Sequence, residues 1–454
     1  MLLTLLAFLC AIVVLVAVHE WGHFAVARLC GVKVLTFSIG FGPRVLGWKS
    51  VRTGTQFQLG LLPLGGFVRM LDEREAPVAA EDLPYAFNRK PLKSRAAVVA
   101  AGPVANLLLA VLLYTGVYFL GITEPQAIVA GPPAGSIAHK AGFLGGEQIR
   151  RVGWDEQALE EVRSFEDFRW WLTRAALEGR QLQVEYQRAQ GKQLHLAELT
   201  FDTLDVSHAD ANLFQSIGFV SPQRPARIGK IDPASAAAAA GLQTGDVVLQ
   251  VNGVAVADAG QLRDWIRQSG SRSQPLLQHW VVQRNGKRLN LEVTPRQERE
   301  QGQTIGRVGA MIGTAPALQT VRYGFWNSLQ KAVTKTWEIS ALTLRMMGNI
   351  LTGAASVRNL SGPLTIADYA GKTVALGLEQ FLLFLALVSI SLGVLNLLPL
   401  PLLDGGHLLY YVWEAITGNA ISESWQAKLQ RVGFVLLLAM MSIAIFNDFA
   451  RLLS

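Results

Sequence analysis

Residues 2–23 read LLTLLAFLCAIVVLVAVHEWGH, an uncharged apolar run that ends in two histidines and a glutamate. A run of that density predicts a membrane-spanning helix, for which roughly 20 apolar residues suffice. No Lys or Arg precedes it and no small-residue cleavage site follows it, so a retained helix is expected and not a removable signal peptide. Further apolar stretches lie at about 96–120, 376–400 and 432–446. Four crossings are therefore expected, the last one short and dependent on Lys428 and Arg431 reaching up to the interface. Half of the 454 residues are hydrophobic and 17% are charged, a balance that suits a membrane protein with soluble insertions.

The net charge of +7 does not point to nucleic acid, because the basic residues neither cluster in one arm nor interleave with stacking aromatics. They gather between the first two apolar runs, where Arg28, Lys33, Arg44, Lys49, Arg52, Arg69, Arg74, Arg89, Lys90, Lys93 and Arg95 stand against five acids. By the positive-inside rule that segment is cytoplasmic. Four crossings then put the N-terminus and residues of about 122–375 outside, and the loop after the third crossing inside. The two cysteines, Cys10 and Cys30, offer neither a disulfide framework nor a cysteine-based metal site.

The long external segment repeats itself. Ala141-Gly142-Phe143 through Trp154 and Ala240-Gly241-Leu242 through Gly253 share the pattern A-G-[FL]-x-x-G-[ED]-x-[IV]-x-x-V. Each copy is followed by a helix-like stretch (EDFRWWL, QLRDWI) and a strand pair around a turn at Gly191-Lys192 or Gly286-Lys287. Both copies resemble PDZ domains, the second closely and the first less so because Gly153-Trp154 replaces the usual Asn/Asp-Gly turn. A groove that accepts a peptide as an added strand is implied; folded spacers with an unused groove are the alternative. Residues 322–350 mix apolar and basic residues at helical spacing, which suggests a helix on the outer membrane surface, or else a packed core helix. FSIGFG and TQFQLGLLPLGGFV, within residues 35–68, read as β-strands too apolar for a solvated loop. Such backbone can dip into the membrane only where it is buried in protein or lines a cavity.

His19-Glu20-Trp21-Gly22-His23 is an H-E-x-x-H motif. Positions four apart share one helix face, so two imidazoles reach one zinc ion while the glutamate projects beside it as a base for water. At the end of an apolar helix such groups are costly unless paired or metal-bound. Zinc needs a third protein ligand if one position is to stay open for water. Asn396 through His407 (NLLPLPLLDGGH) close the third apolar run, and the third crossing brings them to the inner end of the first helix. Asp404 is the expected third ligand, His407 one helical turn on is its rival, and a helix cap or turn ahead of Gly405-Gly406 is the structural alternative for Asp404.

The motif in a first membrane helix, the N-x-x-P-x-P-x-x-D-G segment, Gly102-Pro103-Val104-Ala105-Asn106 and the interposed repeat together resemble the site-2 protease family of intramembrane zinc metalloproteases. The resemblance covers nearly the whole chain, and the two modules point to the bacterial branch of the regulator of sigma-E type. It implies one zinc ion on His19, His23 and Asp404, Glu20 as the catalytic residue, and substrate contacts at Asn396, Gly65 and Gly66. It also implies cleavage within a helix of a membrane-spanning substrate, such as an anti-sigma factor already cut on its external side. The location implied is a bacterial inner membrane with the PDZ-like modules periplasmic, the zinc site near the cytoplasmic face, and no nucleic acid partner.

The expected fold class is thus an α-helical polytopic membrane protein with about four transmembrane helices, a membrane-associated β-rich loop and two inserted mixed α/β PDZ-like domains. Its expected segments are the motif helix 1–34, the re-entrant β-rich loop 35–93, a second helix 94–122, modules at 123–222 and 223–310, an amphipathic segment 320–352, a third helix 374–407 and a fourth 427–450. Two other classes of function compete. A non-enzymatic scaffold presenting two PDZ modules would not require His19, Glu20, His23 and Asp404 together. A metal transporter would need ionisable residues in several membrane helices, and apart from Glu379 the apolar runs carry none at their middle.

Overall fold

A computed structural model describes residues 2–154, 158–188, 191, 193–201, 211–270, 277–300, 303–352 and 362–453. These fall into two compact units, one made of residues 1–122 with 322–454 and the other of residues 123–321. Lys192, half of one expected turn, lies outside the described residues.

The first unit begins with α1 (Leu2–Leu29). Its buried positions include Ala7, Ala11, Leu15, Gly22, His23 and Ala27, a stripe of mostly small residues at helical spacing, while Leu2, Leu3, Leu5 and Leu6 are exposed. Small residues inside and large aliphatics outside invert the order of a water-soluble helix and suit lipid contact. Two long antiparallel strands follow, β1 (Val34–Lys49) and β2 (Gln56–Met70). They fold over on themselves: residues 36–39 pair with both 56–59 and 66–69, and residues 44–49 pair with 56–60. Gly40 and Gly42 allow the reversal, with φ of +89° and +87° that a side chain would resist. Phe37 and Trp48 of β1 pack on Phe57, and Phe24 of α1 packs on both Phe37 and Phe57, so the hairpin is tied to the motif helix. The polar loop after β2 is held by ion pairs Lys33–Asp82, Arg69–Glu75, Arg74–Asp72 and Arg89–Glu73. Hydrogen bonds from Arg89 and Asn88 hold the Glu73 carboxyl down at about 2, so this clamp persists at any physiological pH. Next comes α2 (Leu92–Leu120).

The second unit holds two modules of matching topology. After β3 (Ile122–Pro125), the first comprises α3 (Ile137–Lys140), β4 (Gln148–Trp154), β5 (Glu160–Glu161), α4 (Phe165–Glu178), β6 (Leu182–Gln187), β7 (Leu194–Leu199) and α5 (Ala211–Ile217), with sheet order β5-β4-β6-β7. The next comprises β8 (Ile228–Ile231), α6 (Ala236–Ala239), β9 (Val247–Val251), β10 (Val254–Ala255), α7 (Ala259–Ser269), β11 (Gln278–Arg284) and β12 (Lys287–Val293), in the equivalent order β10-β9-β11-β12. Equivalent side chains do equivalent work: Ser136 and Ser235 cap the short helices, and Glu147 and Asp246 accept amide hydrogens from the turns before β4 and β9. Phe143, Ile149, Phe168 and Leu172 fill one core, and Leu242, Val248, Leu262 and Trp280 the other. The modules then diverge. Where the first has the helix α5, the second has the hairpin β13 (Arg296–Glu300) and β14 (Gln303–Arg307), then β15 (Ala310–Ile312) paired with β8. The last strand, β16 (Leu318–Val321), pairs with β3.

The chain re-enters the first unit through α8 (Phe325–Leu351), α9 (Pro363–Leu376), α10 (Leu378–Asn396), α11 (Asp404–Thr417) and α12 (Glu423–Leu453). Among the described residues four helices are long and apolar enough to cross a membrane: α1, α2, α10 and α12. Their number agrees with the four apolar runs, but two boundaries differ. The segment 374–407 is three pieces and not one helix, because Gly377 ends α9 at φ +120° and the Pro399–Pro401 loop separates α10 from α11. The last helix is much longer than its apolar run, since polar residues at both ends continue it.

One polar residue inside α12 has a clear structural task. Asp448, 1% exposed, accepts the backbone amides of Gly362, Leu364 and Thr365 and the Thr365 hydroxyl, capping α9 from another helix. Gly362 at the N-cap has no side chain to do this itself. Asp448→Ala is expected to destabilise the unit by about 1–3 kcal/mol, the cost of leaving buried amides unpaired. Thermal unfolding in detergent checks this, and an unchanged melting temperature would refute the role.

Candidate metal centre

Two glycines let the centre form. Where α1 crosses α2, a Cβ on Gly22 would overlap the Ala101 carbonyl and the Ala105 side chain, and one on Gly102 would overlap His23 Nε2 and the His19 ring. The backbone of α2 therefore lies directly on the two imidazoles. Pro103, next in α2, has no amide hydrogen, so the helix hydrogen-bond ladder is interrupted at this level. His23 Nδ1 lies 2.8 Å from the Val98 carbonyl, which can only accept; Nδ1 therefore carries a proton, and in the neutral imidazole Nε2 keeps its lone pair. Asn106 of α2 places its amide nitrogen 3.3 Å from His19 Nδ1.

Asp404 arrives from the far end of the chain. It occupies the first turn of α11, after a loop in which Leu402 adopts φ +107°, a strained conformation for an L side chain. Gly405 and Gly406 pack on the backbone of Leu397, Leu398 and Leu400 without room for a Cβ, and Gly433 of α12 closes on Pro401 from behind. Arg95 at the start of α2 pairs with Glu414 of α11 at 2.5 Å, fixing the helix that carries Asp404 against the helix that covers the histidines.

The result is a tight cluster. His19 Nε2 lies 3.2 Å from His23 Nε2 and 3.2 Å from Asp404 Oδ2, and His23 Nε2 lies 3.6 Å from the same oxygen. Zinc bonds of about 2.0–2.1 Å in a tetrahedron space neighbouring ligand atoms by about 3.3 Å. Two imidazole nitrogens and one carboxylate oxygen at these separations suit zinc and leave a fourth position open. Among the described residues this cluster contains His19, His23 and Asp404 and not His407. Glu20 is 8% exposed, and the backbone of β2 at Gly66 is packed against its Cγ. Gly65 abuts the Phe41 ring with φ +149°. Asn396, half-buried, closes α10 ahead of the Asp404 loop. Val98, Gly102 and Asn106 escaped the sequence reading as contacts of the histidines; the only signal was the Gly102–Asn106 segment, which says nothing by itself about what it touches.

An apolar helical bundle enclosing two imidazoles, a carboxylate and a neighbouring buried glutamate defines a multi-pass membrane protein with a candidate hydrolytic metal centre. The profile of Peptidase family M50 matches residues 7–440. A Ralstonia nicotianae chain that carries the name of a zinc metalloprotease is 40% identical over 99% of both chains. The regulator of sigma-E protease of Escherichia coli is 38% identical over 99% of this chain and 98% of its own, and that of Salmonella typhi 37% identical with the same coverage. The chain belongs to peptidase family M50, the site-2 proteases, and is a zinc metalloprotease.

The crossing yields a paired test. Gly102→Ala should lose most of the zinc that the parent retains on purification, whereas Gly116→Ala, in the same helix where a Cβ meets open space, should keep it. Equal zinc in both variants, measured by elemental analysis, would contradict the packing described.

Proposed function

We propose that this chain hydrolyses peptide bonds within the transmembrane helices of single-pass membrane proteins in regulated intramembrane proteolysis, with His19, His23 and Asp404 holding zinc and Glu20 acting as the general base. The observation that carries the proposal is the convergence of those three donors, from opposite ends of the chain, at separations suited to a tetrahedral ion. When bound, zinc supplies Lewis acidity that polarises the scissile carbonyl and makes water a nucleophile near neutral pH. In this reading Glu20, next to His19 on α1 and with β2 packed against it, takes a proton from water and returns it to the leaving nitrogen; its burial beside the histidines supports that role. A helical substrate must first open, because its carbonyls are engaged in their own hydrogen bonds. The glycine-rich β2 beside Glu20 supports a reading in which Gly65 and Gly66 receive the opened segment as an added strand, with Asn396 holding it from α10.

The modules of the second unit belong to this reading as PDZ-like domains at 123–222 and 223–310 that take peptide or substrate ends; their repeated strand order supports it. The relatives named for regulating sigma-E make an anti-sigma factor, already cut on its external side, the first substrate to try. The basic segment between α1 and α2 supports a cytoplasmic position for the centre and a periplasmic one for the modules, in a bacterial inner membrane.

Three variants divide the roles. Glu20→Gln keeps shape but not basicity, and should retain zinc while cleavage of a model membrane helix falls by roughly 10²–10⁴. Asp404→Ala should lower bound zinc and abolish cleavage, and His407→Ala should leave measurable activity. Parental cleavage rates in Glu20→Gln with zinc retained would refute the assigned base, and full zinc in Asp404→Ala with loss in His407→Ala would move the third ligand.

A further inference from the structure

The two histidines of the centre are not held alike. His23 Nδ1 faces a backbone carbonyl, which leaves no choice of tautomer. His19 Nδ1 faces the side-chain amide of Asn106, which can donate or accept. With the amide nitrogen toward Nδ1, the imidazole would have to accept there and carry its proton on Nε2, in the middle of the three converging donor atoms. That proton would block the position a metal needs. Asn106 is fully buried, and its Oδ1 has no hydrogen-bond partner among the described residues, a costly condition for a carbonyl oxygen. A half-turn of the amide exchanges oxygen and nitrogen within the same shape: the oxygen then accepts from His19 Nδ1–H, and Nε2 of His19 is left without a proton.

We propose that Asn106 is the positioning residue for His19: its side-chain oxygen accepts from His19 Nδ1–H and so holds Nε2 as the lone pair that faces the metal. This rests on the reading of His19, His23 and Asp404 as the zinc site. The backbone of Asn106 is anchored separately, its carbonyl accepting from Ser389 Oγ of α10 at 2.7 Å, so the side chain can be changed without releasing that contact. Outer partners that fix a ligating histidine this way typically change metal affinity by about 10–100-fold when lost.

The test uses the purified full-length chain in detergent, with zinc affinity measured by competition against a chelator and histidine tautomers read from ring ¹⁵N shifts of the metal-free protein. Asn106→Leu removes the acceptor and should weaken zinc binding by about 10–100-fold, with His19 becoming a mixture of tautomers. Asn106→Asp keeps an acceptor at the same place and should retain parental affinity or better, with His19 protonated on Nδ1 as in the parent. Parental zinc affinity in Asn106→Leu would overturn the proposal, as would an Asn106→Asp chain that melts like the parent but loses zinc to the same extent as Asn106→Leu. A parent chain that binds no zinc would overturn the metal-centre reading itself and this proposal with it.

Discussion

The close crossing of α1 and α2 is the contact on which the rest of the first unit depends. Ionisable side chains in an apolar helix cost about 2.5–3.5 kcal/mol each near the middle of a bilayer unless something compensates them. Here the compensation begins with two missing side chains: at Gly22 and Gly102 the helices come close enough for the backbone of α2 to cover the imidazoles of α1. Any Cβ at Gly102 would occupy the space of both rings. The same approach brings the Val98 carbonyl and the Asn106 amide to the outer nitrogens of the histidines, which turns the inner nitrogens toward Asp404.

The remaining elements of the unit serve this arrangement from two sides. On one, the hairpin β1–β2 is fastened to α1 by the Phe24, Phe37 and Phe57 rings and lays Gly66 against Glu20. On the other, α11 is held to α2 by Arg95 and Glu414, and the strained loop before it is wedged between Gly405, Gly406 and Gly433. Glycines stand at the α1–α2 crossing, beside Glu20 and around the Asp404 loop because backbone approaches backbone or a side chain there and leaves no room for a Cβ.

Much of this was legible in the sequence, and the limits are instructive. His19 and His23 announce themselves because positions four apart share a helix face, and Glu20 because it stands between them in the motif. Asp404 followed from counting crossings, which places the end of the third apolar run beside the end of the first; the structure brings it to the histidines by a different route, at the start of a separate helix. The division of residues 374–407 was hidden because Gly377 and the two prolines sit within a continuous apolar composition, and hydropathy does not register a helix break. The length of α12 was underestimated for the opposite reason, since its ends are polar yet helical. Asp448 and Asn106 could not be assigned at all, because each acts on a partner distant in the chain and carries no local pattern that names it. The helix and strand pair after each copy of the repeat, α4 with β6 and β7 and α7 with β11 and β12, follow the sequence pattern, whereas the helix α5 in place of a hairpin does not, the repeat having faded by that point.

The proposed centre holds one zinc ion between two imidazoles and a carboxylate that are almost 400 residues apart in the chain. X-ray absorption at the zinc edge of the purified protein addresses it most directly. Ligation by His19, His23 and Asp404 predicts a first shell of nitrogen and oxygen only, at about 2.0–2.2 Å, with the outer-shell scattering of two imidazole rings and none from sulfur. A shell with sulfur near about 2.3 Å, or with fewer than two imidazoles, would contradict it.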